Sequence, residues 1–255
     1  NSHSNIESNS IEIYCDQCNI LEGNQQDLTK IQAQTIYIEN TNSFILKPFS
    51  AIYGNIDFSG VYLQISENSM ISANGYGSIG PGSSMNASSY KSSSGASHGG
   101  LGSLGYGQTT ISSSTYGNQD FPITKGSNSG NISGRGGASG GGTIKFNVNN
   151  TLILDGIISA NGNNGEFGFS NYGTGGGSGG SIWINTNIIN GSGSCEASGG
   201  NGGGTNLNKG GGGGGGRIAV YYNNSDTTLD TSISSVEGGE GRYEQGETGS
   251  LIFMY

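Results

Sequence analysis

The sequence predicts an all-β protein, a right-handed parallel β-helix (solenoid) with long Gly-rich loop insertions at one corner. Three observations lead there. Strand-like segments recur at a near-constant spacing, apolar residues within them alternate, and the 51 glycines of the 255 residues gather into runs that precede strands. Repetition at periods of roughly 20–50 residues marks solenoids and arrays. A two-residue apolar period marks a strand with one buried face.

Residues 1–10 read as a polar terminal segment, and 11–255 as a single β-helix domain. Within it, 11–74 are expected to form regular 25-residue coils, because Ile11, Ile36 and Val61 are evenly spaced, as are Ile13, Ile38 and Leu63, and Ile20, Ile45 and Met70. About 25 residues suits one turn of a parallel β-helix, in which like residues stack on like. Residues 75–142 form a long Gly/Ser-rich insertion, and 143–255 are coils with Gly-rich loops. There the strands opening at Ile144, Ile182, Ile218 and Leu251 align with one another, and Ile71-Ser72-Ala73-Asn74, Ile158-Ser159-Ala160-Asn161 and Cys195-Glu196-Ala197-Ser198 form a second aligned set. The second set places Cys195 in a core column with Ile71 and Ile158.

The Gly-rich excursions at 75–142, 162–180 and 199–216 leave from the same point of successive coils. Glycine backbones approach closely and can run side by side as extended, polyproline-like helices bonded through their amides. A second layer beside the solenoid is therefore expected. The composition is compatible with this: isoleucine outnumbers leucine 27 to 11, and β-branched side chains suit a pleated sheet.

The formal charge of −9 comes without any basic cluster. That argues against nucleic acid, whose binding rests on Lys and Arg neutralising phosphates. No apolar run approaches 18 residues, so no membrane insertion is expected in this segment. The amino terminus lacks the charged-then-apolar layout of a signal peptide, as a mature or excised segment would. Candidate N-glycosylation sites fall at Asn86, Asn131, Asn149, Asn190 and Asn223, and their use would place the protein outside the cell or on its surface.

Candidate chemistry is sparse. Cys15 and Cys18 are close enough for a disulfide only if a turn forms at Asp16-Gln17; two buried thiols or a metal site are the alternatives. Neither His3 nor His98 has an identifiable acid partner, and no Gly-x-Gly-x-x-Gly run opens a helix, so triad and nucleotide-binding readings fail. Glu237, Glu240, Glu244 and Glu247 lack calcium-repeat spacing and read as a solvated acidic loop. No metal or cofactor is expected. On the aligned outward face, Tyr62, Trp183 and Tyr221 with neighbouring amides are candidate sugar contacts, although Trp183 is better read as packing beneath the glycine layer.

Taken together, GASHGG (95–100), ISANG (71–75 and 158–162), GGGSGGSIWI (175–184), GGGGGRIAVYY (212–222) and TGSLIF (248–253) resemble a family of large Gly-rich surface proteins of protists, plants and some bacteria. The resemblance covers most of 61–255. It implies a pectin-lyase-like β-helix module in an extracellular protein, with no catalytic residues to carry across. The expected function is a non-catalytic structural or adhesive extracellular module, self-associating into a filament or surface layer; the alternative is a carbohydrate-binding or polysaccharide-cleaving β-helix protein.

Overall fold

The computed structural model describes residues 6–14, 17–20 and 29–255, apart from 89, 112, 133–134, 169–170, 224–227, 229–231 and 233. Among the described residues eleven strands form one parallel sheet that curls through three faces: β1 (Ile6–Tyr14), β2 (Gln17–Ile20), β3 (Thr29–Leu46), β4 (Ser50–Ile65), β5 (Met70–Ser72), β6 (Thr143–Leu154), β7 (Ile157–Ser159), β8 (Ser181–Asn190), β9 (Ser194–Glu196), β10 (Arg217–Tyr221) and β11 (Ser250–Met254). The fold is a parallel β-solenoid, as the repeats predict.

Its first face stacks Ile31, Ile52, Ile71, Ile158 and Cys195 in register. The second stacks Ile36, Ile56, Ile144, Ile182 and Ile218, with Ile38, Phe58, Phe146, Ile184 and Val220 two residues on. The third stacks Phe44, Leu63, Leu152 and Ile189. All these side chains are buried in one continuous core. Phe44, Phe58 and Phe146 meet edge to face at centroid separations of 6.0 and 5.9 Å, an arrangement aromatic quadrupoles favour.

The early coils depart from the expected register. Ile11 pairs with Ile36 and Ile13 with Ile38, as the 25-residue period requires, but Ile36 then pairs with Ile56 and Ile38 with Phe58. Leu63 lies beside Phe44 on the third face, Ile20 beside Leu46, and Met70 beside Ala51 on the first. The period shortens because only residues 47–49 separate β3 from β4, whereas eight positions, 21–28, lie between β2 and β3. Alternation identifies a strand but not the face it occupies. Val61-x-Leu63-x-Ile65 is a true strand assigned to the wrong side.

Cys195 is fully buried, and that burial, with the Glu196 charge adding to it, pushes its thiol up to about 12. The thiolate is the reactive form, so Cys195 should resist iodoacetamide at pH 8 in the native protein and be alkylated in urea. Peptide mass mapping reads this directly. Rapid native labelling would contradict the column.

The glycine excursions form the second layer. They all enter between the first and second faces, at the joint that in β4 is only Gly54. There a Cβ would lie 2.3 Å from the Ala33 carbonyl oxygen, and φ is +150°. Asn55, buried beside it, accepts from the Thr143 amide and donates to the Gln34 carbonyl, tying the joints of three coils together.

The central pass, 210–216, shows why the runs are glycine. Gly210, Gly213 and Gly216 turn their Cα toward the carbonyls of Thr174, Gly177 and Gly180; Gly211 and Gly214 toward Ser103 and Gly100; Gly212 and Gly215 toward Gly239 and Val236. A repeat of three with no internal hydrogen bonds is that of a polyproline II helix. Its amides follow the same repeat. Those of Gly210, Gly213 and Gly216 donate to Gly203, Gly200 and Ala197, and those of Gly211 and Gly214 to Ser93 and Ala96, at 2.7–3.0 Å. The pass is thus hydrogen-bonded along its length to neighbouring passes, which satisfies backbone groups that burial would otherwise strand.

Candidate functional site

The second face carries the predicted sugar-contact surface. In register, its outward positions run Asp57, Lys145, Trp183, Ala219, then two residues on Ser59, Asn147, Asn185, Tyr221. Lys145 pairs with Asp57 at 2.9 Å, and the Asn185 amide donates to the Asn147 side-chain oxygen at 3.0 Å. Tyr62 is absent from this row. It aligns with Thr151 on the third face and donates its hydroxyl to Gln64 at 3.0 Å, so the structure separates it from Trp183 and Tyr221.

The upper half of the row is covered. Residues 116–125, within the long insertion, cross it as a strap: Phe121 meets Trp183 edge to face at 4.9 Å, Tyr221 donates to the Asp120 carbonyl at 2.8 Å, Ser181 donates to the Thr124 carbonyl, and Arg217 donates to the Tyr116 carbonyl at 3.0 Å. Ala219 is fully buried on this outward face. Trp183 packs under an insertion, as expected, but under this strap rather than the stacked glycines.

His98 pins the strap to the glycine layer. Its Nδ1 lies 2.8 Å from the Gly179 carbonyl, which can only accept, so Nδ1 carries the proton and Nε2 accepts from the Thr124 hydroxyl at 2.9 Å. Its ring lies 4.7 Å from that of Tyr116. Burial, opposed by the Gly179 carbonyl and assisted by the Arg217 charge, lowers its pKa to about 4. An imidazole so weakly basic is a poor general base, and both nitrogens are engaged in hydrogen bonds. The histidine is an anchor. The serines and glycines around His98 mask a core position in the sequence.

A groove of about 470 Å³ opens where the third face turns into the first, lined by Phe49, Ser50, Glu67, Met70, Asp155 and Ile157 among others. Two carboxylates, Glu67 and Asp155, line it. Asp155 is partly engaged, accepting from the Ser192 amide at 3.3 Å. Of the remaining acidic residues, Glu240 pairs with Lys209 at 3.3 Å and Glu247 accepts from the Leu101 amide at 3.1 Å. Among the described residues no group of three or more His, Cys, Asp or Glu is placed to hold a metal, and no helix is long and apolar enough to cross a membrane.

Asn86, Asn131, Asn149 and Asn223 are exposed, and Asn190 is half-buried, its side-chain oxygen accepting from Thr228. Of the turn proposed to join Cys15 to Cys18, Gln17 opens β2, and Cys15 and Asp16 lie outside the described residues. Compared with protein-family models, curated proteins and solved structures, the chain matches none.

Proposed function

We propose that the chain is a non-catalytic structural or adhesive module working outside the cell, built to be stiff and to associate with further coils. One observation carries the reading. The solenoid is bonded along one joint to a glycine layer whose passes interlock across great sequence distances, as when the Ser103 amide donates to Gly212 and the Gly99 amide to Gly215. A second layer of this kind braces the coil stack against bending. The exposed asparagines of the N-glycosylation pattern and the glycine motifs that resemble Gly-rich surface proteins support an extracellular setting.

Self-association has a physical basis in β11. Its outer edge pairs with no strand among the described residues, and Leu251, Met254 and Tyr255 at that end are exposed. An open edge invites another strand, from the same or a second chain. The expected result by light scattering is larger species growing with concentration, reduced by Leu251→Lys, which sets a charge at the end of the stack. A strictly monomeric protein that releases reducing ends from pectin or similar polymers would overturn the reading, and the groove carboxylates Glu67 and Asp155 would then be the residues to substitute.

A further inference from the structure

The passes of the glycine layer turn back at an end remote from the strands, and four of those turns converge. The Ser92 amide donates to the Tyr106 carbonyl at 3.0 Å, the Tyr106 amide to the Lys209 carbonyl at 3.1 Å, the Gly173 amide to Asn208 at 3.2 Å, and the Thr205 amide to Asn171 at 3.2 Å. Ser92 adds two side-chain bonds, donating its hydroxyl to the Asn208 carbonyl and accepting from the Gly173 amide at 3.0 Å. These bonds bring three tyrosines from three turns into contact. Tyr90 and Tyr172 meet edge to face at 6.3 Å, and the rings of Tyr106 and Tyr172 lie tilted at 45° to each other, 5.9 Å apart.

Core packing does not account for this cluster. Tyr90 is 77% exposed, yet its backbone sits at φ +63°, a conformation bulky residues rarely adopt. Asn171, next to Tyr172, sits at φ +69°. Asparagine takes this conformation readily, but among the described residues only Phe49 and Tyr90 do so without being glycine or asparagine, and strain of this kind collects where a side chain is held for binding. The surrounding side chains are amides: Asn171 and Asn206 are exposed, with Asn208 and Gln108 half-exposed beside them. Nearby charges are the exposed Lys91 and the Lys209–Glu240 pair.

We infer that this end of the glycine layer is a binding site for a neutral pyranose polysaccharide, with Tyr90, Tyr106 and Tyr172 as the stacking platform and the amides of Asn171 and Asn206 meeting sugar hydroxyls. Aromatic faces take the apolar C–H face of a pyranose, and amides donate and accept at once, as hydroxyls require. Held by backbone bonds from four turns, the platform is already ordered, so little entropy is lost on binding. The inference rests on the adhesive reading above and names where the contact is made and to what.

The test uses the full chain in affinity electrophoresis and calorimetry against a neutral glucan, a neutral mannan and polygalacturonate. Binding to a neutral polymer is expected, weakened about ten-fold or more by Tyr172→Ala and by Tyr90→Ala, retained by Tyr172→Phe, and unchanged by Tyr62→Ala. Tyr90, largely exposed, supplies the second variant should Tyr172→Ala fail to fold. Binding only to polygalacturonate, only to a protein, or to no polymer would overturn the inference, as would neutral-polymer binding indifferent to both tyrosine substitutions. Concentration-dependent association without any glycan binding would sink this site and leave the structural reading standing. Reducing-end release would sink the structural reading instead.

Discussion

Gly214→Ala is expected to lower stability by about 3 kcal/mol or more in urea titration, whereas Gly136→Ala changes it little or raises it slightly. A Cβ on Gly214 would lie 2.0 Å from the Gly100 carbonyl oxygen and 2.5 Å from its carbon, both backbone atoms that cannot swing aside. The Gly214 amide also donates to Ala96 at 2.8 Å, so pushing the passes apart breaks that bond and strands its partners. Gly136 has nothing within 4 Å of the same position and is exposed, and alanine there only restricts the unfolded chain. Hydrogen exchange gives a second readout: the amides of 210–216 should be protected in the wild type and exposed in Gly214→Ala. Equal stability of the two variants would mean that the glycine layer is not the packed body described.

Acid should loosen the strap through His98. Its pKa falls from the ordinary 6.5 to about 4 in the folded protein, so between these values the unfolded chain binds a proton that the native one refuses. The stabilisation from the neutral, buried ring is fully present above pH 6.5, declines as the pH falls, and is gone below 4. At 1.36 kcal/mol per unit the loss comes to about 3 kcal/mol. Carboxylates titrate toward the lower end of this window, so the comparison is with His98→Gln: the wild type should be the more stable at pH 7.5, and the two should converge near pH 4. Trp183 is the only tryptophan in the chain and sits under Phe121, so its emission reports directly on the strap. A constant stability difference from pH 7.5 to 4 would refute the assignment.

How much of this was legible in the sequence depended on whether the signal was periodic. The Ile71, Ile158 and Cys195 column and the Ile144, Ile182 and Ile218 column could be aligned because each is embedded in a repeated motif, and glycine runs flag close backbone approach by themselves. The early coils could not be registered correctly, since alternation in 61–65 fits two faces equally and a three-residue turn leaves no mark. Tyr62 was misplaced beside Trp183 for that reason. The strap, the His98 anchor and the tyrosine cluster were invisible for another: each depends on a single residue from a non-repeating stretch reaching a partner far along the chain, as Arg217 reaches Tyr116.

The two layers differ sharply in how far apart along the chain their partners lie. Strands of the solenoid beyond β6 meet the next coil after 33 to 38 residues, but the pass at 210–216 is completed on one side by residues 93–103. Contacts that span such lengths form late, because closing the intervening loop costs entropy before any bond rewards it. The coils from β6 onward are therefore expected to pair before the glycine layer closes, and on a ribosome the segment around Gly95 to Ser103 remains without its central neighbour until more than a hundred further residues have emerged.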